Sequence, residues 1–168
     1  MKKHYVILSF FFCFVFNSWA GEAYFLKPDG SRVYNIKNQN FNDQNKAFTG
    51  RVSTKIQIGG GIELELGKRT TIIRKDVEDK IIILLIKGRL RVKSKKRNVI
   101  VKTPVAKILA GKGFSDIILA NLNTLAVCRE GTGLRITTNK EIQEVPVGKY
   151  VLITTEGSIS INEFKSDE

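Results

Sequence analysis

The sequence predicts an all-β protein, and three observations carry the prediction. Short runs rich in Val, Ile and Thr recur along the chain, turn residues interrupt them, and no window keeps an apolar period near that of a helix. The spacing between turn signals is about 8 to 12 residues, typical of an all-β domain. β-Branched side chains lose rotamer freedom in a helix but pack well on a pleated surface, so the runs read as strands.

Met1-Lys2-Lys3-His4 is a charged start, residues 5–16 are an apolar run, and Asn17-Ser18-Trp19-Ala20 ends in small residues. That is the pattern of a secretory signal peptide over residues 1–20. A membrane-spanning helix needs about 20 apolar residues, and neither this run nor any later one is that long. Cys13 sits inside the apolar run and not at the cleavage point, so no lipid anchor is read. The expectation is an exported protein, periplasmic or secreted, with no transmembrane span in the mature chain.

Residues 21–49 are polar, with Asn35, Asn38, Asn40, Asn42 and Asn45 interleaved with Gln39 and Gln44. A loosely ordered lead-in with one short strand is expected there. Residues 50–164 form the β domain, followed by a polar tail at 165–168. Its strands are predicted at 52–58, 62–66, 70–74, 80–86, 89–93, 99–102 and 105–109, then at 114–119, 125–129, 134–138, 150–154 and 158–162. Gly59-Gly60-Gly61 reads as a bulge or wide hairpin turn, since no helix start follows it to bind a phosphate. Residues 81–86 do not alternate and are predicted to be a central strand covered on both faces. Residues 62–66 and 90–93 alternate apolar with charged, so each has one face on solvent. An outer-membrane barrel requires about 9 to 11 residues per strand, longer than most of these runs.

The single histidine, His4, leaves with the signal peptide. Ser-His-Asp, Cys-His and His-ligated zinc chemistry are thereby excluded. Cys128 is the one cysteine left, so no internal disulfide is possible and a buried structural thiol is expected. Glu63, Glu65, Asp76, Glu78 and Asp79 supply carboxylates, but no nucleophile and base can be paired. A non-enzymatic protein without a cofactor is the reading.

Charge is the informative feature. The chain carries 28 Lys and Arg against 16 Asp and Glu, and residues 68–112 hold 15 of the basic residues with 3 acidic ones. Arg89, Arg91 and Lys93 share one face of a predicted strand, and Lys95, Lys96 and Arg97 fill the turn after it. Two readings stand side by side. One is a docking site for an envelope protein or for an anionic envelope polymer or lipid, nucleic acid not being expected for an exported chain. The other is a solvated strand whose cations deter edge-to-edge aggregation.

The order of the turn signals resembles the FecR domain. The stretch Leu84-Leu85-Ile86-Lys87-Gly88-Arg89 is followed by Val101-Lys102-Thr103-Pro104, by Gly111-Lys112-Gly113-Phe114, by Arg129-Glu130-Gly131 and by Val147-Gly148-Lys149. Two turns depart from the family pattern, which has Gly-Thr-x-Phe at the third of these and Gly-Gln at the last. The resemblance implies an irregular β-solenoid or roll, with a β-sandwich as the alternative, and an interaction module in the cell envelope. Thr103, Pro104, Gly111, Phe114, Gly131 and Gly148 are the motif residues it marks, with structural roles. The family's regulators carry a cytoplasmic anti-sigma segment before the domain, where this sequence has its signal-like stretch, so direct sigma-factor control is not expected.

Overall fold

The computed structural model describes residues 22–163; the signal-like stretch and the tail beyond residue 163 lie outside the described residues. The chain is all-β as predicted, with fifteen strands and, among the described residues, no helix. These are β1 (Tyr24–Leu26), β2 (Arg32–Tyr34), β3 (Lys46–Phe48), β4 (Thr54–Gly59), β5 (Ile62–Leu66), β6 (Thr71–Val77), β7 (Lys80–Ser94) and β8 (Val99–Lys102). They continue as β9 (Lys107–Ala110), β10 (Gly113–Ala120), β11 (Asn123–Gly131), β12 (Leu134–Thr137), β13 (Ile142–Val145), β14 (Lys149–Ile153) and β15 (Ile159–Glu163).

The strands build two sheets that share β7. The first runs β2-β1-β3-β6-β7-β8-β9-β12-β13 and the second β4-β5-β7-β10-β11-β14-β15. Between the named strands pairing is antiparallel except for β7 with β8, and the sheet does not close into a barrel. Ile83, Leu85, Ile108 and Ile136 of the first sheet join Leu64, Leu66, Leu90, Ile117 and Ile153 of the second in one buried cluster. One apolar face of each sheet is thus removed from water, which supplies the main stabilisation.

β7 reaches both sheets because it bends at Gly88, where φ is +92°. A Cβ there would lie 2.7 Å from the Thr70 Cα, so the bend needs glycine for space as well as for conformation. The buried Thr70 hydroxyl holds the bend, accepting from the Arg89 N–H at 3.0 Å and lying 3.1 Å from the Arg89 carbonyl. The two strands expected at 80–86 and 89–93 are therefore one, since Gly88 turns the ladder without ending it.

Three local expectations are corrected. The first half of β7 is central, between β6 and β8, but only one of its faces is fully covered: Ile81, Ile83 and Leu85 are buried while Ile86 is 50% exposed. β13 was not expected because three of its four residues are exposed and carry no apolar alternation. The Asn-rich stretch holds three strands in place of one, and Phe25, Ile36, Phe41 and Ala47 enter the common core, with the Phe25 and Phe41 rings stacked at 5.2 Å. Its polar residues serve turns: Asn35, Asn38 and Gln44 take positive φ, a conformation that asparagine tolerates through local hydrogen bonding. Residues 38–41 then run along β4, Gln57 donating to the Gln39 carbonyl at 2.9 Å and Phe41 to the Gln57 carbonyl at 2.6 Å.

Candidate functional site

The outer face of the second sheet carries the predicted basic residues. Alternation along β7 buries Leu90 and Val92 and turns Arg89, Arg91 and Lys93 outward, as expected. The register then sets Arg91 opposite Glu65 on β5 and opposite Asp116 on β10, with Lys93 opposite Glu63 and Phe114.

Asp116 organises this face. Its side chain is 2% exposed and receives three arginines: Arg91 Nε at 2.9 Å and an Arg89 terminal nitrogen at 3.2 Å on one oxygen, and Arg129 Nε at 2.6 Å on the other. Arg129 reaches it because a bulge between Phe114 and Ser115 shifts the β10–β11 register, placing Cys128 and Glu130 against successive β10 residues. Burial pushes the Asp116 carboxyl up, but the hydrogen bonds of Arg91 and Arg129 and the charge of Arg89 outweigh it and hold the group below its ordinary value. The Asp116 hydrogen bond in turn raises the Arg91 guanidinium above its usual range. Arg91 also donates to Glu65 at 3.2 Å and lies over the Phe114 ring, 4.9 Å from its centroid. Lys55 completes the face with a 3.5 Å pair to Glu63.

The sequence-predicted cations thus divide. Arg89 and Arg91 are tied to carboxylates, whereas Lys93, Lys95, Lys96 and Arg97 are exposed and, among the described residues, make no ion pair. These four form a corner at the end of β7. Gly60 and Gly61 lie beneath it, where added Cβ atoms would touch Arg97 Cδ at 3.5 Å and Lys95 Cβ at 3.7 Å; of the two expected forms the triplet takes the bulge, with a shift between Gln57 and Gly59, and closes β4 on β5 by a tight turn in place of a wide one, Gly59 pairing with Ile62.

The motif residues hold the backbone. Thr103 closes the turn around Pro104, its N–H donating to the Ala106 carbonyl at 2.9 Å, and its hydroxyl oxygen accepts from Ala106 N–H at 3.2 Å and lies 3.0 Å from the Thr124 hydroxyl. Gly131 sits directly opposite Gly113, Gly111 lies against the Thr132 side chain, and Gly148 donates to the Cys128 carbonyl at 2.8 Å. Phe114 alone reaches the charged face. Cys128 is buried, as expected, and burial raises its thiol above the usual value. Among the described residues no cluster could ligate a metal ion and no helix is long and apolar enough to cross a membrane.

The fold is shared with solved proteins. Two crystal structures of a "putative anti-sigma factor" from Parabacteroides distasonis ATCC 8503, at 2.50 Å and 1.65 Å resolution, match with a TM-score of 0.58 each, at 12% and 11% identity. The match covers 67% of this chain and 56% of theirs, so this chain spans little more than half their length. At such identity the likeness is one of fold. No family model and no curated protein matches the sequence.

Asp116 and Arg129 were missed in the sequence. The available signal was Asp116 itself, a charge on the outward phase of the otherwise apolar run Phe114-Ser115-Asp116-Ile117-Ile118-Leu119. An acid so placed needs a cation across the strand, and residue 91 supplies it.

Proposed function

We propose that the chain is a non-enzymatic interaction module of the FecR-like type, exported to the cell envelope, where it docks an acidic surface of a partner protein. The observation that carries the reading is the contrast on the second sheet. Asp116 fixes Arg89, Arg91 and Arg129 as a stiff charged floor, and the free corner of Lys93, Lys95, Lys96 and Arg97 stands at its end. Fixed guanidinium groups lose little entropy when a carboxylate meets them, and the unpaired corner supplies long-range attraction. The fold likeness to the anti-sigma-factor structures supports a module that works through its surface. The six-residue basic patch works as a docking face only in part, because Arg89 and Arg91 also have a structural duty.

In-cell crosslinking followed by mass spectrometry tests this, with a variant carrying Glu at Lys93, Lys95, Lys96 and Arg97 and unchanged circular dichroism. Capture of one dominant envelope protein by the wild type and its loss in the variant is expected. Equal capture by both would overturn the corner as the docking element. The alternative, an assembly protein holding a polyanionic lipid or glycan, is favoured by the unpaired charge on the opposite sheet.

A further inference from the structure

The outer face of the first sheet is the more uncompensated of the two. Register places Lys46, Ile73, Leu84, Lys102, Lys107 and Thr137 in one row across the strands, and Lys75, Ile82, Ile100, Leu109 and Arg135 in the next. With Lys80 on the same side of β7, six cations stand outward there, against Glu144 as the acid among the strand residues of these rows. The second sheet pairs Lys55, Arg89, Arg91 and Arg129 with Glu63, Glu65 and Asp116; here the ion pair formed is that of Lys80 with Glu78 in the exposed turn, at 3.8 Å. Lys102 and Lys107 face each other directly across the β8–β9 pair. Like charges so opposed cost stability, and nothing within the described fold offsets them.

The same face keeps aliphatic side chains in water. Ile142 is 57% exposed at the end of the first row, Val77 is 50% exposed opposite Lys80, and Ile86 is 50% exposed beside Leu84. Between the rows lies a shallow cavity of about 360 Å³, floored by Ile100 and Leu109 and rimmed by Lys80, Lys107 and Arg135.

We propose that this face lies against an anionic lipid bilayer. Five of its six cations are lysines. A compact ammonium on a flexible stem suits phosphates at no fixed position, while the exposed aliphatic tips have a use at a headgroup boundary and none on a soluble polyanion. The proposal rests on the envelope reading above only in placing the chain beside a membrane, and its six cations are other residues than the four of the docking corner.

The test is co-sedimentation of the full chain with vesicles of equimolar phosphatidylglycerol and phosphatidylcholine, and with phosphatidylcholine alone. A variant carrying Lys102→Glu and Lys107→Glu is run beside the wild type; both positions are exposed and unpaired, so the fold is retained, and both proteins share the same N-terminal stretch. Binding to the anionic vesicles is expected to exceed binding to neutral ones and to fall by at least about thirtyfold in the variant, from the loss of two lysine contributions of about 1 kcal/mol each with the repulsion of two new carboxylates added. An Ile142→Ser, Ile86→Ser variant should also bind less. Equal binding of the charge variant, or equal binding of all proteins to neutral vesicles, would overturn the proposal. So would an unaffected serine variant, which would point to a soluble polyanion. None of these outcomes bears on the Lys93–Arg97 crosslinking result, so the two readings fail separately.

Discussion

Arg91 and Asp116 stand directly opposite each other on β7 and β10, with Arg91 Nε 2.9 Å from a carboxylate that is 2% exposed. The pair converts a strand that looks purely cationic in sequence into the centre of an ion-pair network. Because Asp116 is buried and its three arginines are partly in water, most of the cost of breaking the network falls on the acid side.

Asp116→Asn should lower stability at neutral pH by about 2–3 kcal/mol, the half-solvated arginines limiting the loss. The folded carboxyl lies below its ordinary value, so its contribution is fully present above about pH 4 and is lost as pH falls through the lowered folded value. Urea unfolding of wild type and variant from neutral to acid pH should show the difference shrinking on the acid side. A constant difference would contradict this assignment.

Gly131→Ala should cost more than Gly111→Ala. A Cβ at residue 131, where φ is +106°, would lie 1.7 Å from the Lys112 carbonyl oxygen and 2.8 Å from the Gly113 Cα, so backbone must move. At residue 111 the clash is with the Thr132 hydroxyl, which can rotate. Losses of about 3 kcal/mol and about 1 kcal/mol respectively are expected in denaturant titrations.

Lys102→Glu should stabilise the protein. It replaces a like-charge pair across β8 and β9 with an attractive one, a gain of about 0.5 kcal/mol that salt should reduce. Calorimetry at low and high ionic strength would read it as a rise in Tm of about 1–2 °C that fades with salt.

Phe41→Ala should destabilise the whole molecule by about 3–4 kcal/mol, because the ring is fully buried against Phe25. Unfolding followed by circular dichroism should stay a single transition at a lower denaturant midpoint. A separate early transition with an unchanged main midpoint would mean that residues 22–49 fold apart from the rest.

Cys128 should resist maleimide in the native protein and react on unfolding, since burial both shields the thiol and disfavours its thiolate. Rapid labelling of the native state would contradict the packing described.

The all-β class, most strand positions and the buried thiol were legible in the sequence, because period-two alternation and turn residues act over a few neighbours. Ile62-Glu63-Leu64-Glu65-Leu66 announces its buried and solvent faces without reference to any other strand, and the structure keeps both. The short strands of residues 22–49 were not legible, since their stability comes from the core they join and not from their own composition.

Charge was legible only as an amount. The sequence by itself determined that residues 68–112 carry a large cationic surplus and that Arg89, Arg91 and Lys93 share a face. Only the tertiary structure decided that Glu65 and Asp116, 26 and 25 residues from Arg91 along the chain, pair with that arginine while Lys102 and Lys107 on the other sheet stay opposed. Electrostatic energy falls with distance in space, and strand register, which joins residues remote in sequence, sets those distances.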